Sequence, residues 1–177
     1  MTAPAEFSRL IRAETLGAEP RTIAISADEA ERVALARRFD LASIDHLDAK
    51  IDCSRDGEAI LARGRLHAGV TQLCVVTAEP LLRKLDEAFT LRFVPEREGE
   101  NDDEIELDSQ DCDEMPYSGS DIDLGEAVAE TLLLALDPFP RGPNAEAALK
   151  AAGIKGEDET GPFASLKDLR DSLKRQS

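Results

Sequence analysis

At 177 residues, with 42% hydrophobic and 33% charged side chains, the chain is long enough for one good core with polar appendages, or for two very small domains. Its 37 acidic and 21 basic residues give a formal net charge of −16, a field that repels phosphate at long range and argues against a free-standing, non-specific nucleic-acid binder. No apolar run reaches bilayer-spanning length, no basic leader precedes an apolar core at the start, and Cys53, Cys74 and Cys112 are too few and odd in number for a disulfide framework; a cytoplasmic protein is expected.

Two strands are predicted first, at 7–12 and 21–26, separated by a turn around Gly17 and Pro20. Ser26 and Glu29 have capping-box spacing, so a helix is expected from there to about Phe39, with Val33, Leu35, Ala36 and Phe39 available for packing. Clean alternation follows, with Leu47, Ala49, Ile51 and Cys53 on one face and His46, Asp48, Lys50 and Asp52 on the other. Asp56-Gly57 signals a hairpin into a long strand that places Ile60, Ala62, Leu66, Ala68 and Val70 on its apolar side. Gly64 and Gly69 suit a bend or bulge in it. After Pro80 another strand alternates Leu85, Glu87, Phe89, Leu91 and Phe93.

The next stretch is acidic throughout. Glu98, Glu100, Asp102, Asp103, Glu104, Glu106, Asp108, Asp111, Asp113 and Glu114 occur without one basic residue, and Ile105 and Leu107 suggest a short edge strand within it. A helix over about 124–136 then carries a stripe of Leu124, Val128, Thr131, Leu132 and Ala135, widened by Leu133, Leu134 and Leu136. Each buried leucine contributes on the order of 1.5–3 kcal/mol, so this helix is expected to anchor the core. Pro138 and Pro140 end it. The expected fold is α+β: a curved antiparallel sheet or partly closed barrel with a capping helix, one buried apolar helix and a flexible C-terminal tail. One domain is expected over 1–141, with the acidic connection at 96–120, a flexible linker at 142–161 and an amphipathic segment at 162–177.

Three blocks carry a resemblance. Leu73-Cys-Val-Val-Thr-Ala-Glu-Pro80, the Asp121–Arg141 stretch, and Gly161-Pro-Phe-Ala-Ser-Leu-Lys-Asp-Leu169 resemble, in this order, blocks of the YceD-like family, the bacterial large-ribosomal-RNA-subunit accumulation proteins. The positions that match are Cys74, Thr77, Pro80, Asp123, Leu124, Glu130, Leu136, Pro138, Pro140 and Arg141. The resemblance implies a non-enzymatic ribosome-biogenesis factor that supports accumulation of large-subunit rRNA, without a cofactor. Thr77 stands where many members have a second cysteine. Threonine is a poor zinc ligand and residues 113–177 hold no cysteine or histidine, so no metal is expected.

With that implication, the negative field favours docking a basic ribosomal protein or a large-subunit precursor particle. The ten carboxylates from Glu98 to Glu114 are the candidate electrostatic surface, and Phe163, Leu166 and Leu169 a candidate hydrophobic anchor. The alternative is direct RNA contact through a local basic face of Arg63, Arg65, Arg83 and Lys84. A further alternative is an enzyme acting on RNA, but no phosphate-cradling loop, dinucleotide fingerprint or nucleophile–histidine motif supports catalysis.

Overall fold

The structure, a computed structural model, describes residues 6–96 and 113–154. In chain order these form β1 (Leu10–Arg12), a 3-10 turn (Ala13–Thr15), β2 (Arg21–Ser26), α1 (Glu29–Arg38), β3 (Ser43–Asp56), β4 (Ala59–Leu73), β5 (Pro80–Pro95), β6 (Asp113–Tyr117), β7 (Asp121–Asp123), α2 (Leu124–Ala135) and α3 (Ala145–Ala151). Two compact units arise from non-contiguous stretches: Met1–Gln72 with Leu82–Pro138, and Leu73–Leu81 with Phe139–Ser177.

The larger unit is built on an open sheet with strand order β2-β3-β4-β5-β6, beside a separate two-stranded pair of β1 and β7. β3 pairs antiparallel with both β2 and β4, and one register irregularity falls between Ile44 and His46. The Asp56–Ala59 turn places Gly57 at φ +64°, a left-handed conformation that favours glycine. β5 and β6 run parallel, with Leu91 opposite Asp113 and Phe93 opposite Met115. The curved antiparallel sheet or partly closed barrel expected from sequence is therefore corrected to an open, mixed sheet. The reason is connectivity: β6 returns parallel to β5 and ends the sheet, while β7 pairs with β1 instead of extending it.

The alternating strands bury the faces their periodicity selects. Leu47, Ala49, Ile51 and Cys53 of β3, Ile60, Ala62, Leu66 and Val70 of β4, and Phe89, Leu91 and Phe93 of β5 join one core. Leu35 and Ala36 of α1 and Leu124, Ala127, Val128 and Leu132 of α2 join the same core. The helix at 124–135 is not buried all round as expected. Leu133 is 45% exposed and Leu134 80%, because a single helix on one sheet can hide only the stripe it turns inward. Val33 of α1 is likewise exposed. The capping box shifts by two residues, to Asp28 and Glu31. Ser26 is unavailable because its backbone belongs to the β2 ladder opposite Asp48. A helix, α3, occupies residues 145–151 within the stretch read as linker. The edge strand expected around Ile105 and Leu107, and the tail beyond 154, lie outside the described residues.

Two glycines of the larger unit mark where elements approach most closely. A Cβ on Gly64 of β4 falls 2.5 Å from the Phe89 ring, so the missing side chain makes room for a core aromatic from β5. A Cβ on Gly125 of α2 falls 2.5 Å from the backbone oxygen of Phe7 and 2.9 Å from the backbone nitrogen of Arg9. Alanine at 125 should improve helix propensity by about 1 kcal/mol. The clash is with main chain, which cannot rotate away, and overpacking of this kind costs about 1–3 kcal/mol. Gly125→Ala is therefore expected to lower the urea midpoint. A midpoint at or above that of the parent chain contradicts the close approach.

Candidate functional site

In the smaller unit, the turn from Leu73 to Leu81 is closed upon Cys74. The Cys74 N–H donates to the Glu79 carbonyl and the Ala78 N–H to the Cys74 carbonyl, both at 2.9 Å. Ala78 adopts φ 56°, the left-handed conformation that lets the chain reverse within this span. Val75 N–H donates to the Pro140 carbonyl at 2.9 Å, and the Asn144 amide donates to the Glu79 carboxylate at 3.1 Å. The segment after the second proline is thus stitched to the turn.

Cys74 is buried, and its sulfur is surrounded by donors. The Thr77 side chain, the Gly142 N–H at 3.3 Å, and the backbone N–H groups of Thr77 and Val76 hold the thiol down to about 7, below its ordinary value. Thr77 has one hydroxyl proton and also lies 3.0 Å from a Glu79 carboxylate oxygen, which competes for it. The backbone donors are the invariable part of the cradle. Cys53 is the contrast: burial in the sheet, together with the Asp52 charge, pushes its thiol up to about 11. Among the described residues no group of three or more histidine, cysteine or carboxylate side chains is arranged to hold a metal ion.

In the larger unit, Asp123 is the N-cap of α2 and accepts four hydrogen bonds. Oδ1 takes the N–H groups of Arg9 at 2.7 Å, Gly125 at 3.0 Å and Glu126 at 3.2 Å, and Oδ2 takes the Ser8 hydroxyl. Arg9 in turn grips both carboxylate oxygens of Glu31 at 2.7 and 2.9 Å and stacks 4.7 Å over the buried Phe7 ring. Its guanidinium holds the Glu31 carboxyl below the usual range. Arg38 forks onto Glu126 and also reaches Glu6. These charges fasten residues 6–9 and α1 to the start of α2.

The exposed side of α2 faces a groove of about 540 Å³ against β5 and β6. Phe89, Leu91, Met115 and Leu134 supply its apolar surface, and Glu87, Asp113, Glu114 and Glu130 its charge. None of its lining residues is basic.

The model of the large ribosomal RNA subunit accumulation protein family YceD matches residues 62–170, more than half of the chain. The chain belongs to the YceD family. It is a non-enzymatic factor of ribosome biogenesis in that family's sense. No curated protein and no solved structure matches it.

Within this YceD chain the motif positions divide by role. Asp123 is a cap, Leu124 is buried, Leu136 ends α2, and Pro140 is a buried acceptor. Pro80, Pro138 and Arg141 are exposed, and Glu130 stands at the groove. Arg63 and Arg65 share the exposed face of β4 with His67, but Arg65 pairs with Asp86 at 2.6 Å and His67 lies 3.5 Å from the same carboxylate. Their β3 neighbours across the ladder are Asp52, Lys50 and Asp48. Arg83 and Lys84 are exposed on β5. Of the acidic run, Asp113 and Glu114 are described and exposed; residues 98–111 and the anchor at Phe163, Leu166 and Leu169 lie outside the described residues. Sequence reading missed Glu87 and Gly142. Glu87 carried a signal, a charge on the apolar register of β5, whereas a backbone N–H donor such as that of Gly142 leaves none.

In a Cys112→Ser background, the alkylation rate of Cys74 is expected to rise through about pH 7, with Cys53 silent. Thr77→Val should move that midpoint upward. Because the folded-state value is depressed, thiol ionisation adds stability that is complete above the unfolded thiol range and is lost as the pH falls through about 7. A midpoint at the free-cysteine value removes the donor cradle.

Proposed function

We propose that this YceD protein supports large-subunit rRNA accumulation in the cytoplasm by docking a basic ribosomal protein, free or on a precursor particle. The observation that carries the reading is the net charge of −16 in a family tied to ribosomal RNA. A polyanionic particle repels such a protein at long range, so its approach is favoured where cationic protein is exposed. Ten carboxylates between Glu98 and Glu114 concentrate that charge in one connection, and Asp113 and Glu114 bring its end onto the rim of the groove.

The basic strip on β4 favours RNA less. Asp86 already neutralises Arg65 and faces His67, and Asp48 and Asp52 flank the strip from β3. Exposed pairs of this kind are individually weak, about 0.2–1 kcal/mol. Their effect here is on field, since each carboxylate cancels a charge that a phosphate would need.

A pull-down of separated large-subunit proteins at low and high salt tests the proposal. Basic ribosomal proteins are expected to be retained at low salt, released at high salt, and lost when the carboxylates from Glu98 to Asp108 are exchanged for their amides. Retention of naked large-subunit transcript instead, abolished by neutralising Arg63, Arg65, Arg83 and Lys84, replaces the proposal with direct RNA binding.

A further inference from the structure

We propose that the groove between β5, β6 and α2 seats a cationic polypeptide segment of the partner, with one bulky apolar side chain held between lysine or arginine neighbours. The inference rests on the docking reading above and gives it an address on the fold.

Three features of the groove point to this occupant. First, its surface is apolar where a side chain could insert. Leu134 is 80% exposed in the last turn of a helix whose opposite face is packed, while Phe89, which also lines the groove, is only 9% exposed. An exposed leucine alone is ordinary, but a leucine beside a groove of about 540 Å³ is a wall against which an inserted side chain can lose water. Second, the polar rim carries one sign only. Glu87 comes from β5, Asp113 and Glu114 from β6 and Glu130 from α2, so three elements separated in sequence converge on one charge. Among the described residues no basic group pairs with Glu87, Asp113 or Glu130; Glu114 stands 3.8 Å from Arg92. Third, β6 ends the five-stranded sheet among the described residues, so no further described strand lines the outer side of the groove, where a continuous chain could lie.

The alternatives fit less well. Phosphate groups of RNA would meet a rim on which Glu87, Asp113 and Glu130 have no basic partner among the described residues. A short cationic segment satisfies the rim and the apolar wall together, with the charges steering approach and the buried side chain prolonging residence.

The test uses the full chain and fluorescence anisotropy with two synthetic probes: a lysine/arginine peptide with one central leucine, and the same peptide with serine in its place. The leucine probe should bind more tightly, by on the order of tenfold. Leu134→Ser should erase that difference while leaving the serine probe's affinity unchanged. Glu130→Lys should weaken both probes far more than Glu19→Lys, which changes the net charge equally but lies away from the groove. Equal effects of Glu130→Lys and Glu19→Lys, or a leucine preference that survives Leu134→Ser, overturn the proposal. If Leu134→Ser instead converts a dimer into a monomer and leaves peptide binding intact, the occupant is a second copy and the proposal is likewise overturned. The two readings fail separately. Ribosomal-protein capture that persists in the Leu134 and Glu130 variants leaves the docking function standing and removes the groove; no capture by the parent chain removes the docking function itself.

Discussion

The larger unit depends on how one carboxylate closes the start of α2. A helix leaves its first amides without partners, and a helix buried along one face cannot expose them all to water. Asp123 accepts two of those amides and, with the same side chain, the Arg9 amide and the Ser8 hydroxyl. Residues 7–9 are thereby laid against the helix closely enough that position 125 has no room for a Cβ. Arg9 carries the constraint onward to Glu31, which itself closes the cap of α1. Local capping and long-range packing are thus one network, and the buried stripe of Leu124, Val128 and Leu132 has only one orientation in which it can satisfy both.

That orientation has a consequence on the other side. Turning Val128 and Leu132 inward turns Leu134 outward and brings Glu130 beside strands β5 and β6. A sequence with so many leucines in one helix invites the expectation of a fully buried element. The sheet covers only one flank of the cylinder, so Leu133 and Leu134 stay exposed and Leu134 becomes part of a groove wall. The family's motif therefore mixes residues of unlike purpose: Asp123 and Leu124 hold the fold, while Glu130 belongs to a surface.

The Cys74 turn follows a comparable logic on a smaller scale. The sulfur lies amid backbone amides that favour its charged form, and the side chain at 77 is a hydroxyl able to donate to it. A second thiol at that position would present the turn with two ligands; threonine leaves a single sulfur held by hydrogen bonds. The hydrogen bonds to the sulfur and within the turn account for its closure. They also join the Pro140 segment to a block about sixty residues upstream, since Val75 and Cys74 bond directly to Pro140 and Gly142.

Local periodicity and punctuation were sufficient for the long strands, the Asp56-Gly57 hairpin, the faces of β3, β4 and β5, and the extent of α2, because these depend on interactions between near neighbours. The ordered blocks around Cys74, Asp123 and Phe163 were likewise enough for the family. Only the tertiary structure decided that β6 returns parallel to β5, that β1 takes β7 as its partner, and that the cap of α1 begins at Asp28. Those outcomes turn on which distant segments compete for the same backbone groups, as when the β2 ladder claims Ser26. The groove belongs to the same class: Glu87, Asp113 and Glu130 are ordinary solvated carboxylates in sequence, and they acquire a common position only when three elements meet.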